Sequence, residues 1–149
     1  MELRSDLSSL FLRVALAASF LSAVADRFGI WGAYGQPHVA WGNFARFVNY
    51  THVLTPIFPM STSVLFAWAA TGAETVFAIL LLAGWRIRAV SMLSGFLLLA
   101  FAISMALFLG IKAPLDYSVF TAAAAALLLS CRVPDRFTLD ARSRSSLHR

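Results

Sequence analysis

The sequence predicts an all-α integral membrane protein, a four-helix bundle with both termini inside and a short interfacial helix in the first external loop. Three observations predict this class. The 149 residues, one domain by length, are 60% hydrophobic with a mean hydropathy of +0.77. Only 13% are charged, which is about half of what a soluble domain usually carries. The apolar residues also gather in four long runs, as membrane spans do.

The four runs predict spans at 10–28, 64–84, 89–110 and 115–131. At about 1.5 Å of helical rise per residue, the first three approach the roughly 30 Å of a hydrocarbon core, and the fourth is short. The first run has an alternative interpretation, because Ala23-Val24-Ala25 fits a signal-peptide cleavage site. Arg13 would make the charged leader long, and three further apolar runs follow, so a retained span is favoured.

Residues 29–62 separate the first two spans and contain four glycines, three prolines and several aromatic residues of the interfacial type. Phe44, Phe47, Val48 and Thr51 follow helical spacing. This spacing predicts a short amphipathic helix lying in the interface. A loop packed over the end of the bundle is the alternative, and the two are compatible.

The basic residues predict the orientation, because cytoplasmic loops carry an excess of Lys and Arg. With the N-terminus inside, eight of the twelve basic residues lie inside and three outside. The inner set is Arg4, Arg86, Arg88, Arg132, Arg136, Arg142, Arg144 and Arg149, and the outer set is Arg27, Arg46 and Lys112. Residues 132–149 then form a basic cytoplasmic tail. The net charge of +5 suits anionic lipid head groups, and no motif indicates nucleic-acid binding.

Glu74 lies in the middle of the second span, where a carboxylate is costly unless it has a partner or a task. From the helical rise, Arg13 of the first span lies about 7–8 Å from the inner face and Glu74 about 15 Å. An extended arginine covers that difference, so we predict an Arg13–Glu74 ion pair or shared polar pocket. Arg86 and Arg88 are further candidates for the network. Alternatively, Arg13 reaches the inner head groups and Glu74 is protonated.

Other chemistry has little support in the sequence. His38, His52 and His148 lie outside the spans, so a haem held inside the bundle by two histidines lacks its ligands. Cys131 is the single cysteine, which excludes an intramolecular disulfide and a C-x-x-C redox pair. The sequence contains no carboxylate–histidine cluster at metal-binding spacing, no phosphate-binding glycine loop and no identifiable nucleophile with a nearby base. It therefore predicts no catalytic or metal-binding residue.

Four motifs, taken in order, make the chain resemble the DoxX family of membrane proteins. They are Leu12-Arg13 in the first span, Gly72-Ala73-Glu74 with the apolar run to Gly84, the turn Arg86-Ile87-Arg88-Ala89, and Arg136-Phe137-Thr138-Leu139-Asp140. The match extends from Leu10 to Asp140. The chain departs from the pattern at Ala25-Asp26-Arg27, where the family often has a G-x-x-K step, and its external loop is longer than in the shortest members.

The resemblance implies a multi-pass protein of the bacterial inner membrane that acts as a non-enzymatic subunit of a redox or oxidative-stress complex. Some similar proteins belong to thiosulfate:quinone oxidoreductase, so quinone is the implied ligand. Glu74 and Arg13 would contact its head group, with Trp68 and Phe77 as walls. No residue here carries electrons through a metal or a thiol pair, so a partner or cofactor is required.

Two alternatives stay open at this point. In one, the chain is an oxidoreductase component whose own pocket takes part in quinone turnover. In the other, it is a small transporter-like bundle that uses Glu74, and a homo-oligomer would supply the path.

Overall fold

The computed structural model describes residues 2–132 and 135–140, and within them it shows six helices and no strand. The helices are α1 (Glu2–Arg27), α2 (Phe44–Leu54), α3 (Met60–Ala83), α4 (Ile87–Phe108), α5 (Lys112–Asp116) and α6 (Val119–Ser130). The all-helical class predicted from the sequence is therefore confirmed.

Three of these helices, α1, α3 and α4, are long and apolar enough to cross a membrane. Each begins before its predicted span, because flanking polar residues continue the helix beyond the apolar run. The difference is largest for α1, which begins at Glu2 and not at residue 10. The chain is thus a multi-pass protein by helix length and composition, and large side chains such as Phe11 and Leu107 project outward from the spans.

The predicted fourth span at 115–131 is divided in the structure. Ser118 has a φ of +54°, in the left-handed region, and separates α5 from α6. Helix α6 has 12 residues and rises about 18 Å, which is less than the roughly 30 Å of a hydrocarbon core. The structure therefore shows three helices of spanning length and a shorter apolar fourth.

The bundle is built from two helix pairs. Helix α4 packs most extensively on α6, and α1 packs most extensively on α3. Gly95 permits the first contact, since a Cβ there would lie 2.7 Å from side-chain atoms of Leu127. The four helices share an apolar core cluster that includes Leu16, Leu81 and Leu129. This cluster lies at the end of the bundle where α3 gives way to α4.

Helix α2 covers the opposite end of the bundle. Asn43 caps it by accepting the Arg46 N–H at 3.0 Å. Phe47 and Leu54 on its inner face are buried. The loop before it is held by Asp26, whose carboxylate accepts the backbone N–H groups of residues 40–42 at 3.0, 3.1 and 3.4 Å. A helix is therefore present where the sequence predicted one, and it packs over the bundle end.

Residues 135–140, predicted as part of a cytoplasmic tail, dock against the helices. Asp140 accepts the N–H groups of Arg86 and Ile87, each at 2.8 Å, and so caps α4. Gly84, with a φ of +71°, lies so close to this segment that a Cβ would stand 2.7 Å from the Thr138 Cα. The remaining tail residues, 133–134 and 141–149 with Arg142, Arg144 and Arg149, lie outside the described residues.

Candidate functional site

A buried ion pair joins the last residue of α1 to the middle of α3. The Arg27 Nη2 donates to Glu74 Oε1 at 2.8 Å and lies 2.7 Å from Glu74 Oε2. Its Nη1 donates to the Thr71 hydroxyl oxygen at 2.8 Å. Both charged residues are 2% exposed. Thr71 and Glu74 are three residues apart on one helix face, so a single guanidinium reaches both.

The loop between α1 and α2, together with α2, closes over this pair. The Arg27 guanidinium carbon lies 3.7 Å from the centre of the Phe47 ring and 5.5 Å from that of Trp41. Such cation–π contacts stabilise a guanidinium that has left water. Because Asp26 holds residues 40–42, it also holds Trp41 near the guanidinium. Two adjacent residues of α1 therefore have complementary roles. Asp26 positions the loop that carries Trp41, and Arg27 supplies the guanidinium that this loop covers.

An apolar cavity of about 1280 Å³ adjoins the ion pair. It lies between the α1–α3 pair and the α4–α6 pair, at the end covered by α2. Small side chains leave the space, and both Arg27 and Glu74 are among its lining residues. The small lining residues include Ala23, Ala69, Ala70, Ala73, Ala100, Ser104 and Ala122. The site combines a large apolar volume with one polar wall, as ligand pockets commonly do.

Two polar atoms at this wall lack hydrogen-bond partners within the described part of the chain. They are Arg27 Nε, a donor, and Glu74 Oε2, an acceptor that lies 2.7 Å from Arg27 Nη2 in the ion pair but accepts no hydrogen bond there. Buried polar groups are nearly always satisfied, because an unmade hydrogen bond costs about 1–3 kcal/mol. The neighbouring donor and acceptor are therefore suited to a ligand that provides the opposite groups.

Tyr50 of α2 adds a hydroxyl to the cavity lining. Burial raises the pKa of Tyr50 above its ordinary value, and nearby Tyr117 raises it further. Its hydroxyl therefore stays protonated at neutral pH, and it can donate or accept a hydrogen bond.

The predicted Arg13–Glu74 pair is wrong, because each charge has a different partner. Arg13 Nη1 donates to both oxygens of Asp135, at 3.1 and 3.2 Å. Its Nε and Nη2 donate to the carbonyl oxygens of Leu81 and Leu82, at 2.9 and 3.2 Å. Antiparallel packing sets Arg13 opposite the end of α3 and Arg27 opposite its middle. Glu74 lies seven residues, or about 10 Å of helical rise, from Leu81.

Arg86 and Arg88 lie in the turn between α3 and α4, away from Glu74. The Arg86 guanidinium carbon lies 5.3 Å from the centre of the Trp85 ring, and Arg88 Nε donates to the Arg132 carbonyl oxygen at 3.4 Å. The structure therefore does not bring either arginine into the Glu74 network that the sequence suggested.

The two predicted pocket walls are not among the residues that line the cavity. Trp68 is 53% exposed and contacts Phe44 in a tilted arrangement with ring centres 4.1 Å apart. Phe77 packs against the apolar core cluster. Both are on α3, but on faces turned away from the cavity.

Sequence reasoning missed Arg27 and Asp135. Arg27 was counted with the external loop, although it directly follows Asp26 at the end of an apolar run. A polar face formed by Thr71 and Glu74 was the available signal that a donor would come from a neighbouring helix end. Asp135 was hidden in a basic stretch that appeared solvated, and its sequence separation of 122 from Arg13 left no local signal.

No group of three or more His, Cys, Asp and Glu side chains that could hold a metal ion occurs in residues 2–132 and 135–140. We found no matching protein-family model, curated relative or solved structure for this chain.

Proposed function

We propose that this protein binds a lipophilic ligand with a polar head group, a quinone, and serves as a non-catalytic subunit of a membrane redox or oxidative-stress complex. One observation carries the proposal. The apolar cavity of about 1280 Å³ has, at its wall, a buried ion pair in which one donor and one acceptor atom make no hydrogen bond within the described residues. Ionisable residues inside membrane helices face the bundle interior and commonly mark ligand or ion pathways.

The apolar part of the ligand would occupy the space between the two helix pairs. Its head group would meet Arg27 and Glu74, which replace the Arg13–Glu74 combination expected from the sequence. Because α1, α3 and α4 project apolar side chains outward, a ligand can reach the cavity from the lipid phase without crossing water.

The supporting role in a redox complex follows from the chemistry of the chain and from its resemblance to DoxX proteins. The single cysteine cannot form an internal thiol pair. Electrons would therefore be supplied by a partner subunit, and this chain would hold the ligand at the membrane end of the complex.

Co-purification tests this function. The protein is extracted in mild detergent, and mass spectrometry identifies the bound lipids, quinones and proteins. We expect a quinone or its hydroquinone form and an oxidoreductase subunit with the wild type, and loss of the hydroquinone form in Glu74→Gln. Asp116→Asn is the matched control, because Asp116 is an exposed carboxylate that pairs with Lys112 and does not line the cavity. A wild type that retains no quinone, and binds none when it is added, contradicts the proposal.

We further propose the N-in, C-in orientation in a bacterial inner membrane, with α5 and α6 together completing a fourth crossing. Cys131 is exposed and is the single cysteine, so it reports the position of the α6 end. A membrane-impermeant maleimide added to spheroplasts should leave Cys131 unlabelled. It should label Ala33→Cys in a Cys131→Ser background, since Ala33 lies in the exposed loop before α2. Labelling of Cys131 in sealed cells would reverse the topology.

A further inference from the structure

We infer that the polar wall of the cavity selects a neutral head group bearing a hydroxyl, a hydroquinone or another phenol, over the same molecule in its carbonyl or ether form. The inference rests on the proposed ligand-binding function and specifies the chemistry of the ligand. Its basis is two buried atoms beside an apolar volume that make no hydrogen bond within the described residues, Arg27 Nε and the ion-paired Glu74 Oε2.

The hydroxyl form and the carbonyl form of the head group differ in their hydrogen-bond donors and acceptors. An ionised carboxylate only accepts hydrogen bonds, and a guanidinium only donates them. A quinone carbonyl also only accepts, so it can satisfy Arg27 Nε but leaves Glu74 Oε2 unpartnered and adds a second acceptor beside it. A hydroxyl donates its proton to Glu74 Oε2, and its oxygen can accept from Arg27 Nε. A methyl ether lacks the donor, as the carbonyl does.

Charge balance favours a neutral head group. Arg27 and Glu74 neutralise each other at 2.7 Å. Asp26 is engaged by three backbone N–H groups and does not line the cavity. Arg46, the other charged lining residue, is exposed and stacks on the Tyr34 ring at 3.5 Å. An anionic head group at the wall would meet the Glu74 carboxylate, and a cationic one would meet the Arg27 guanidinium.

The acceptor is also fixed in position before a ligand arrives. Glu74 is held by Arg27, which is held by the Thr71 hydroxyl and by the Phe47 ring. Thr71 in turn donates to the Ala67 carbonyl oxygen at 2.8 Å, which orients its lone pairs toward Arg27. A preorganised acceptor discriminates strongly against ligands that lack the matching donor, since the buried oxygen then stays unsatisfied.

A competition between a 4-alkylphenol and its methyl ether tests the inference without redox chemistry. The two ligands share one alkyl chain, are added at equal concentration to the detergent-solubilised full-length protein, and are counted by native mass spectrometry. We expect the wild type to retain the phenol over the ether by roughly tenfold or more. The ratio should fall toward one in Glu74→Gln, whose amide supplies a donor of its own. It should stay at the wild-type value in Asp116→Asn.

The outcomes separate this inference from the proposed function. If neither ligand is retained by the wild type, the ligand-binding function fails and the inference fails with it. If both are retained equally, the cavity binds ligands but the hydroxyl preference is wrong. If a folded Glu74→Gln keeps the full preference, the hydroxyl is recognised elsewhere and the inference is also overturned. The wild-type ratio decides the question even if the variant does not fold.

Discussion

The Arg13–Asp135 and Arg27–Glu74 pairs are both buried, yet they differ in how completely their atoms are satisfied. Arg13 uses Nε, Nη1 and Nη2, and Asp135 also accepts the Phe137 N–H at 2.9 Å. In the other pair, Arg27 Nε and the ion-paired Glu74 Oε2 make no hydrogen bond within residues 2–132 and 135–140, and both residues line a cavity. A fully satisfied pair locks helices together, whereas a partly satisfied one beside a cavity is available to a ligand.

The two pairs also join different parts of the chain. Arg13–Asp135 connects the first helix to the segment after the last, across 122 positions, and so fastens residues 135–140 to the bundle. Arg27–Glu74 connects neighbouring helices across 47 positions. We therefore assign the first pair to stability and the second to ligand binding, and the variants below test that division.

The largest effect is expected for Arg13→Ala. This change leaves the Asp135 carboxylate buried without its counter-charge, which should lower the free energy of unfolding by roughly 3–5 kcal/mol. Titration of the purified protein from mild detergent into sodium dodecyl sulfate, followed by circular dichroism, measures the loss.

The double variant Arg13→Met with Asp135→Leu is the control for this prediction. Replacing a whole buried ion pair with apolar residues of similar size is often close to neutral, so stability should largely recover. If Arg13→Ala lowers the free energy of unfolding no more than an exposed substitution such as Asp116→Asn, the stabilising role assigned to the Arg13–Asp135 pair is wrong.

Gly84→Ala should have the next largest effect, about 2–3 kcal/mol, because it combines a left-handed backbone with clashes against the Thr138 backbone and the Arg13 guanidinium. Gly110→Ala is the matched control. Gly110 also has a positive φ, +89°, but a Cβ there has nothing within 4 Å. The difference between the two unfolding free energies measures the close contacts of Gly84 with Thr138 and Arg13, and equal losses would show that these contacts contribute nothing.

Replacing each carboxylate by its amide compares the two pairs directly. Glu74→Gln should cost about 2 kcal/mol of stability, since the amide oxygen still accepts from Arg27 but the ion pair at 2.7 Å is lost. Asp135→Asn should cost more, because both Asp135 oxygens accept hydrogen bonds from Arg13. Both losses come from the same unfolding titration, and a reversed order would exchange the roles assigned to the pairs.

The smallest effect is expected for Asp140→Ala, about 1 kcal/mol, the usual value of a side-chain cap at a helix N-terminus. The variant frees the Arg86 and Ile87 N–H groups without touching either buried pair. Hydrogen exchange should therefore rise at the start of α4 and stay unchanged at α2. Faster exchange in α2 would show that the two ends of the bundle are coupled.

Sequence reasoning succeeded where a long run of similar residues carried the information. The apolar runs located α1, α3 and α4, and the spacing from Phe44 to Thr51 located α2, because burial on a helix face repeats along the sequence. It failed where one residue decided the outcome. Ser118 divides the last apolar run through a single left-handed backbone conformation, which no composition signals.

In the candidate site, too, one residue could be predicted from the sequence and its partner could not. Glu74 was identified because a lone carboxylate in an apolar run is conspicuous. Its partner was not, because Arg13 in the middle of α1 and Arg27 at its end are both arginines, and the choice depends on how α1 is aligned with α3. That alignment is set by the packing of many small contacts, and the two arginines do not encode it.

The last turn of α1 would connect the proposed ligand site to the loop between α1 and α2. Asp26 organises residues 40–42 through their N–H groups, while Arg27, its neighbour, reaches the cavity wall. A ligand that draws the guanidinium toward the wall would tighten the same helical turn and the loop tied to it. Protease sensitivity of the Gly32–His38 region would then report binding from outside the membrane, without any label in the cavity.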